Sequence, residues 1–135
     1  MLEKLKNILI KSSVQDKCIL VVEDNKVDSK LLLSILDKKY STVLLAEDAK
    51  TGLKIARMEN PDLIILDYNL PDSKGGEVLS ELKSNDATKR IPVLILTAER
   101  TPANICDSFI NDAERFIEKP IDRKELLAEI NKRLK

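Results

Sequence analysis

Five polar side chains sit at one kind of place along this chain. Glu23, Asp24, Asp67, Thr97 and Lys119 each fall at the end of a strand-like run: CILVVEDN (18–25), DLIILD (62–67), PVLILTAE (92–99) and RFIEKP (115–120). Short aliphatic runs of this kind read as buried parallel strands. In an open α/β sheet, chemistry happens outside the carboxyl ends of the strands. If these strands lie parallel, three carboxylates, a hydroxyl and an ammonium converge on one edge. Clustered acids repel one another and imply a bound cation. All-oxygen ligands favour a hard ion. Mg²⁺ fits best, because it keeps several waters and needs only one or two carboxylates plus phosphate oxygens. A carboxylate nucleophile, a metal, a cation and a hydroxyl donor are the parts for phosphoryl transfer to a carboxylate.

Taken alone, Asp67 reads as a turn residue, since Asp commonly opens turns. Turn chemistry does not predict the recurrence of polar groups at four strand ends. The elements that must position them alternate five times. Strands are expected near 18–23, 42–46, 62–67, 92–97 and 115–119, and helices near 26–38, 49–59, 75–84, 102–110 and 123–134. Such alternation implies an α/β fold: a doubly wound, five-stranded parallel sheet with right-handed crossovers and helices on both faces. Val27, Leu31, Leu32, Ile35 and Leu36 are read as the apolar face of the first helix. Leu126, Leu127, Ile130 and Leu134 are read as that of the last, which opens with Asp122 and Glu125 in a capping-box-like pattern. Thr101 and Pro102 mark the start of the fourth. Residues 1–16 stand apart as a helical extension or linker, with Leu2, Leu5, Ile8 and Leu9 on one face, ahead of a domain spanning 17–135.

From residue 18 onward the chain resembles the receiver domain of two-component response regulators, a CheY-like family. The matching residues are Glu23-Asp24, Asp67 with the following Tyr68-Asn69-Leu70-Pro71 and Gly75, Thr97-Ala98, and Lys119-Pro120. The resemblance implies a flavodoxin-like, receiver-type fold. It also implies that Asp67 is the phosphoacceptor, taking its phosphoryl group from a sensor histidine kinase or a histidine phosphotransfer protein. Asp24 and Asp67 would coordinate Mg²⁺, with Glu23 near the ion or acting through water, and the backbone carbonyl of Asn69 would be a further ligand. Lys119 would hold the phosphoryl group and Thr97 would swing toward it. Phe116 would change rotamer as Thr97 moves. Asn69 and Glu99 would flank the site and tune the lifetime of the adduct, which the domain would itself hydrolyse. The small Ala98 would leave the acceptor accessible. The Lys119-Pro120 bond would be cis. A downstream protein target would read the change through the fourth helix, fifth strand and fifth helix. On this reading the chain is a signalling module more than a metabolic enzyme.

Departures from the family pattern lie outside this chemistry. Asp112-Ala113-Glu114-Arg115 stands where Gly-Ala-Asp-Asp is common. Ser73-Lys74 replaces the usual large apolar residue and acid, which is expected to loosen the loop after Asp67. Ala49 and Gly52 exchange the usual order of Gly and Ala in the second helix.

Composition bounds the alternatives. The chain has 135 residues, 43% hydrophobic and 34% charged, enough for one domain with its own core. Aromatics are 3% and there is no Trp, so the core is aliphatic. With 23 basic and 23 acidic side chains, bulk charge gives no footing for direct nucleic-acid binding. No long uncharged apolar run suggests a membrane span, and the N-terminus lacks a signal-peptide core; a cytoplasmic location is expected. Cys18, read as the start of the first strand, and Cys106 make neither a disulfide framework nor a metal site. The absence of histidine means that any phosphohistidine donor is a different molecule or domain. A phosphorylation-independent interaction module with the same fold would normally have lost the acceptor, an acid or the lysine, and none is lost. A hydrolase would need a substrate pocket and a cap. A flavodoxin-like cofactor binder would need a Gly/Ser/Thr-rich loop where Glu23-Asp24-Asn25-Lys26 stands. Both a stand-alone regulator and one part of a larger protein fit the sequence.

Overall fold

The computed structural model describes residues 14–98 and 115–134. Nine elements follow in order: β1 (Gln15–Val22), α1 (Lys26–Leu36), β2 (Tyr40–Ala46), α2 (Ala49–Glu59), β3 (Leu63–Asp67), α3 (Gly75–Ser84), β4 (Val93–Thr97), β5 (Arg115–Glu118) and α4 (Arg123–Arg133). The expected helix at 102–110, Cys106, Glu99, residues 112–114 and the first thirteen residues lie outside the described segments.

The strands form one parallel sheet in the order β2-β1-β3-β4-β5. The chain runs from β1 outward to β2, then crosses back to β3, so the winding reverses between β1 and β3. That reversal opens a crevice at the carboxyl ends of those two strands. Register aligns the ends: Val22 lies beside Leu66, Asp67 beside Leu96 and Thr97 beside Glu118.

Alternation of side chains along the strands divides the core in two. Leu20, Val22, Ile64, Leu66, Val93 and Ile95 pack with Ala49 and Ala56 of α2 and with Val78, Leu79 and Leu82 of α3. Ile19, Val21, Ile65, Leu94, Leu96 and Ile117 pack on the opposite face with Leu32, Ile35 and Leu36 of α1 and with Leu126 and Ile130 of α4. Every residue of β3 and β4 is buried, as expected for central strands covered on both faces.

Several boundaries differ from the expectations. β1 begins at Gln15, so Cys18 lies within the strand and is only partly buried. The α1 stripe is narrower than the spacing suggested. Val27 is 75% exposed and Leu31 41%, while Ser29 is buried beside Leu32, Ile35 and Leu36. At 3.6 residues per turn, Val27 falls well round the helix from Leu32 and faces away from the sheet. In α4, Leu126 and Ile130 are fully buried and Leu127 and Leu134 partly so. Among the described residues no helix is long and apolar enough to cross a membrane.

Gly52 sets how closely α2 approaches the sheet. A Cβ there would lie 2.9 and 3.0 Å from the two methyl groups of Val22. Gly52→Val should therefore destabilise the fold by about 1–3 kcal/mol. Combining it with Val22→Ala should recover part of that loss. Urea denaturation of the two variants reads both effects; equal stability of Gly52→Val and the native chain would contradict the close approach.

Candidate functional site

The site is built at the carboxyl edge of β1, β3, β4 and β5. At the first strand end, the Glu23 N–H donates to the Ala46 carbonyl at 2.9 Å, extending the ladder beyond Val22. Asn25 then stops the strand and starts α1. Its side chain accepts from the N–H groups of Val27 and Asp28, both at 3.0 Å. This is an N-cap, and it confines Glu23 and Asp24 to the junction between strand and helix. Glu23 is 1% exposed and Asp67 6%, whereas Asp24 is open to solvent. Carboxylate oxygens of Glu23, Asp24 and Asp67 lie within 4.8 Å of one another.

Lys119 is brought in by β5. Its N–H donates to the Thr97 carbonyl at 2.8 Å, and the Lys119-Pro120 bond is cis. The ammonium lies 2.7 Å from Glu23 Oε1, 2.9 Å from Asp28 Oδ2 and 3.6 Å from Asp67 Oδ1. Thr97 is buried at the end of β4, and Phe116 is buried in the core shared with α2 and α3. Ala98 is exposed next to them.

The loop after Asp67 is tied down, against the loosening expected from Ser73-Lys74. The Gly75 N–H donates to the Tyr68 carbonyl at 2.6 Å, and the Leu70 N–H to that of Ser73 at 3.2 Å. Asn69 and Lys74 face each other as an antiparallel bridge, and the Lys74 ammonium donates to Asn69 Oδ1 at 2.9 Å. A Cβ on Gly75 would lie 2.9 Å from the Tyr68 Cα, so this closure requires glycine. The Asn69 N–H points back to Asp67 Oδ1 at 3.4 Å. Asp72 reaches across to the first turn of α2, accepting from the Ala49 N–H at 2.8 Å and the Lys50 N–H at 3.1 Å. Those two bonds hold its carboxyl below the usual carboxylate range.

Electrostatics at the centre are unbalanced. Burial pushes the Asp67 carboxyl up to about 7, and a hydrogen bond and negative charge from Glu23 add to that rise; Lys119 and the Asn69 N–H oppose it. For Lys119, burial disfavours the ammonium. Hydrogen bonds that the ammonium donates to Glu23 and Asp28, with the charges of Asp67 and Glu23, outweigh burial and raise it above an ordinary lysine.

The structure thus brings Glu23, Asp24, Asp67, Asn69, Thr97 and Lys119 to one edge. Glu99 lies outside the described residues. Sequence reasoning missed Asp28, although it stands one helical turn after Asp24 in the first turn of a helix that starts at the same edge. It also missed the cap of Asn25, for which Asn ahead of a helical pattern is a signal.

The family model described as response regulator receiver domain matches residues 19–131. The chain belongs to the response regulator receiver family. Among curated relatives, response regulator Rcp1 of Synechocystis sp. is 34% identical over 121 residues, covering 82% of this chain and 81% of Rcp1. Among solved structures, the receiver domain of sensor histidine kinase PA1611 from Pseudomonas aeruginosa, with a magnesium ion in its active-site cleft, superposes with a TM-score of 0.81. It is 25% identical and covers 89% of this chain and 98% of that one. The Mn²⁺-bound form of Rcp1 superposes with a TM-score of 0.71 at 32% identity, covering 86% and 90% of the two chains. This receiver domain is accordingly a two-component signalling module with the flavodoxin-like fold.

The raised Asp67 has a consequence for stability. Unfolded, an aspartate titrates near 4; folded and metal-free, Asp67 titrates at about 7. Between those values the native state holds a proton that the unfolded chain has released. That contribution to stability is present below pH ~4 and is lost as pH rises through about 7. Asp67→Asn should raise the metal-free melting midpoint at pH 8 by about 3 °C or more. At pH 4 it should change it little. Calorimetry in chelator at the two pH values checks this; an equal shift at both would refute the titration of Asp67.

Proposed function

We propose that this receiver domain accepts a phosphoryl group on Asp67 from a phosphohistidine donor and switches a protein-binding surface in response. The observation that carries the proposal is the meeting of a buried carboxylate, two further acids within 4.8 Å and an ammonium 3.6 Å from Asp67 Oδ1 at one sheet edge.

The donor set fits a magnesium ion. It is all oxygen, it is open on the side of exposed Asp24, and it sets three carboxylates against the single Lys119 ammonium that reaches Glu23 and Asp67. Asp24, Asp67 and the Asn69 carbonyl would hold the ion, with Glu23 beside it. When bound, the ion neutralises the acids and offsets charge on the phosphoryl oxygens.

In the transfer, an Asp67 carboxylate oxygen attacks phosphorus and the P–N bond to the donor imidazole breaks. The bonding electron pair stays on the imidazole nitrogen. Lys119 moves from its carboxylate partners to a phosphoryl oxygen, and the Thr97 hydroxyl donates to another. Loss of the adduct is the reaction of a water oxygen with phosphorus. It breaks the bond to Asp67, restores the carboxylate and releases inorganic phosphate. Asn69 flanks that water's approach, and Glu99 shares its role in tuning the lifetime of the adduct. Movement of Thr97 frees room beside Phe116, and a surface that includes β5 and α4 carries the change to a downstream protein. The partners are a sensor histidine kinase or a phosphotransfer protein on one side and that target on the other.

Intact mass after incubation with acetyl phosphate tests the proposal. One phosphoryl group should add in the presence of Mg²⁺ and none in chelator. None should add to Asp67→Ala under either condition. Folded native protein that takes no phosphoryl group would overturn the switch and favour a phosphorylation-independent interaction module.

A further inference from the structure

Lys119 is held by a carboxylate that the phosphoryl chemistry does not require. Its ammonium has three N–H donors. Two are engaged at short range, by Glu23 at 2.7 Å and Asp28 at 2.9 Å, while Asp67 stands off at 3.6 Å. The side chain is therefore drawn toward α1 and away from the acceptor. Asp28 is fixed where it can do this. Its own N–H donates to the Asn25 cap, which places it in the first turn of α1, and its side chain is three-quarters shielded from solvent.

The two restraints differ in kind. Glu23 belongs to the acidic cluster whose charge a cation would offset, so its hold on Lys119 weakens when the cluster is loaded. Asp28 lies outside that cluster, so a cation there leaves its pair with Lys119 in place. An acid in the first turn also suits the helix dipole, and that alone would make Asp28 a helix-stabilising residue. The dipole accounts for an acid at this position but does not require its carboxylate to reach Lys119.

Resting on the phosphoacceptor reading above, we propose that Asp28 is a positioning residue that latches Lys119 away from Asp67 and so slows phosphorylation of this domain. Phosphoryl transfer needs the ammonium to lean toward Asp67, and the Asp28 pair must loosen first. Removing the carboxylate removes that restraint.

The test is the rate of phosphorylation by acetyl phosphate, followed by intact mass at saturating Mg²⁺ so that altered metal affinity drops out. Asp28→Asn should be phosphorylated about two- to fivefold faster than the native chain, the range expected from loss of one partly exposed ion pair. Asp28→Glu, which keeps a carboxylate, should stay near the native rate. In a Lys119→Met background, Asp28→Asn should leave the rate unchanged, because the latch acts only through the ammonium. Asp28→Asn that reacts at the native rate or slower would overturn the latch, whatever its melting midpoint. A speed-up that persists without Lys119 would overturn it too, since the effect would then be a general loss of negative charge. Native protein that takes no phosphoryl group overturns the latch together with the phosphoacceptor reading. Native protein that reacts normally beside an unaltered Asp28→Asn overturns the latch alone.

Discussion

The organising constraint of this domain is the forced proximity of like charges at the edge of a buried sheet. Parallel register leaves β1 and β3 ending side by side, and both ends carry acids. Water cannot screen them well, because Glu23 and Asp67 are almost fully covered. One ammonium serves Glu23 and Asp28 closely and Asp67 only at 3.6 Å. The edge is thus a place where like charges are held together against their repulsion. A fold selected only for stability would have filled this crevice with apolar side chains.

The remainder of the molecule keeps that repulsion from relaxing. Two separate aliphatic cores clamp the sheet from opposite faces, so the strand ends cannot splay apart. The Asn25 cap prevents the acidic pair from unwinding into solvent, and the short closure from Tyr68 to Gly75 prevents the loop after Asp67 from swinging away. Lys119 is delivered from β5, the strand farthest in sequence from β1. The balance of charge is therefore complete only when the last described strand has docked, and the electrostatics of the edge depend on the whole sheet.

Much of this was legible in the sequence. Aliphatic runs identified β3 and β4 to within a residue, because central strands of a parallel sheet are buried on both faces and tolerate nothing else. The polar residues at their ends identified the edge. The misreadings have physical sources. Val27 and Leu31 fit a helical period, but periodicity counts apolar residues without knowing which face meets the sheet; Ser29 occupies a buried position instead. Asp28 carries no local signal of a role at the site: an acid in a first turn suits the helix dipole anyway, and its pairing with Lys119 depends on contact between residues far apart in the chain. Ser73-Lys74 suggested a loosened loop. The cross-bridge between Asn69 and Lys74, together with the reach of Asp72 to α2, depends on long-range geometry that local propensity does not contain.

Asp72 belongs to the loop that follows Asp67, yet its hydrogen bonds hold the first amides of α2. The turn between β2 and α2 is thereby fastened from outside as well as by its own Asp48 cap. Surface turns ordinarily absorb insertions without penalty, and this one would not. An added residue between Ala46 and Ala49 would displace those amides from Asp72 and pull on the loop that carries Asn69. Two segments remote in sequence are thus constrained to vary in length together, and changes of chain length at this end of the sheet are confined to other connections.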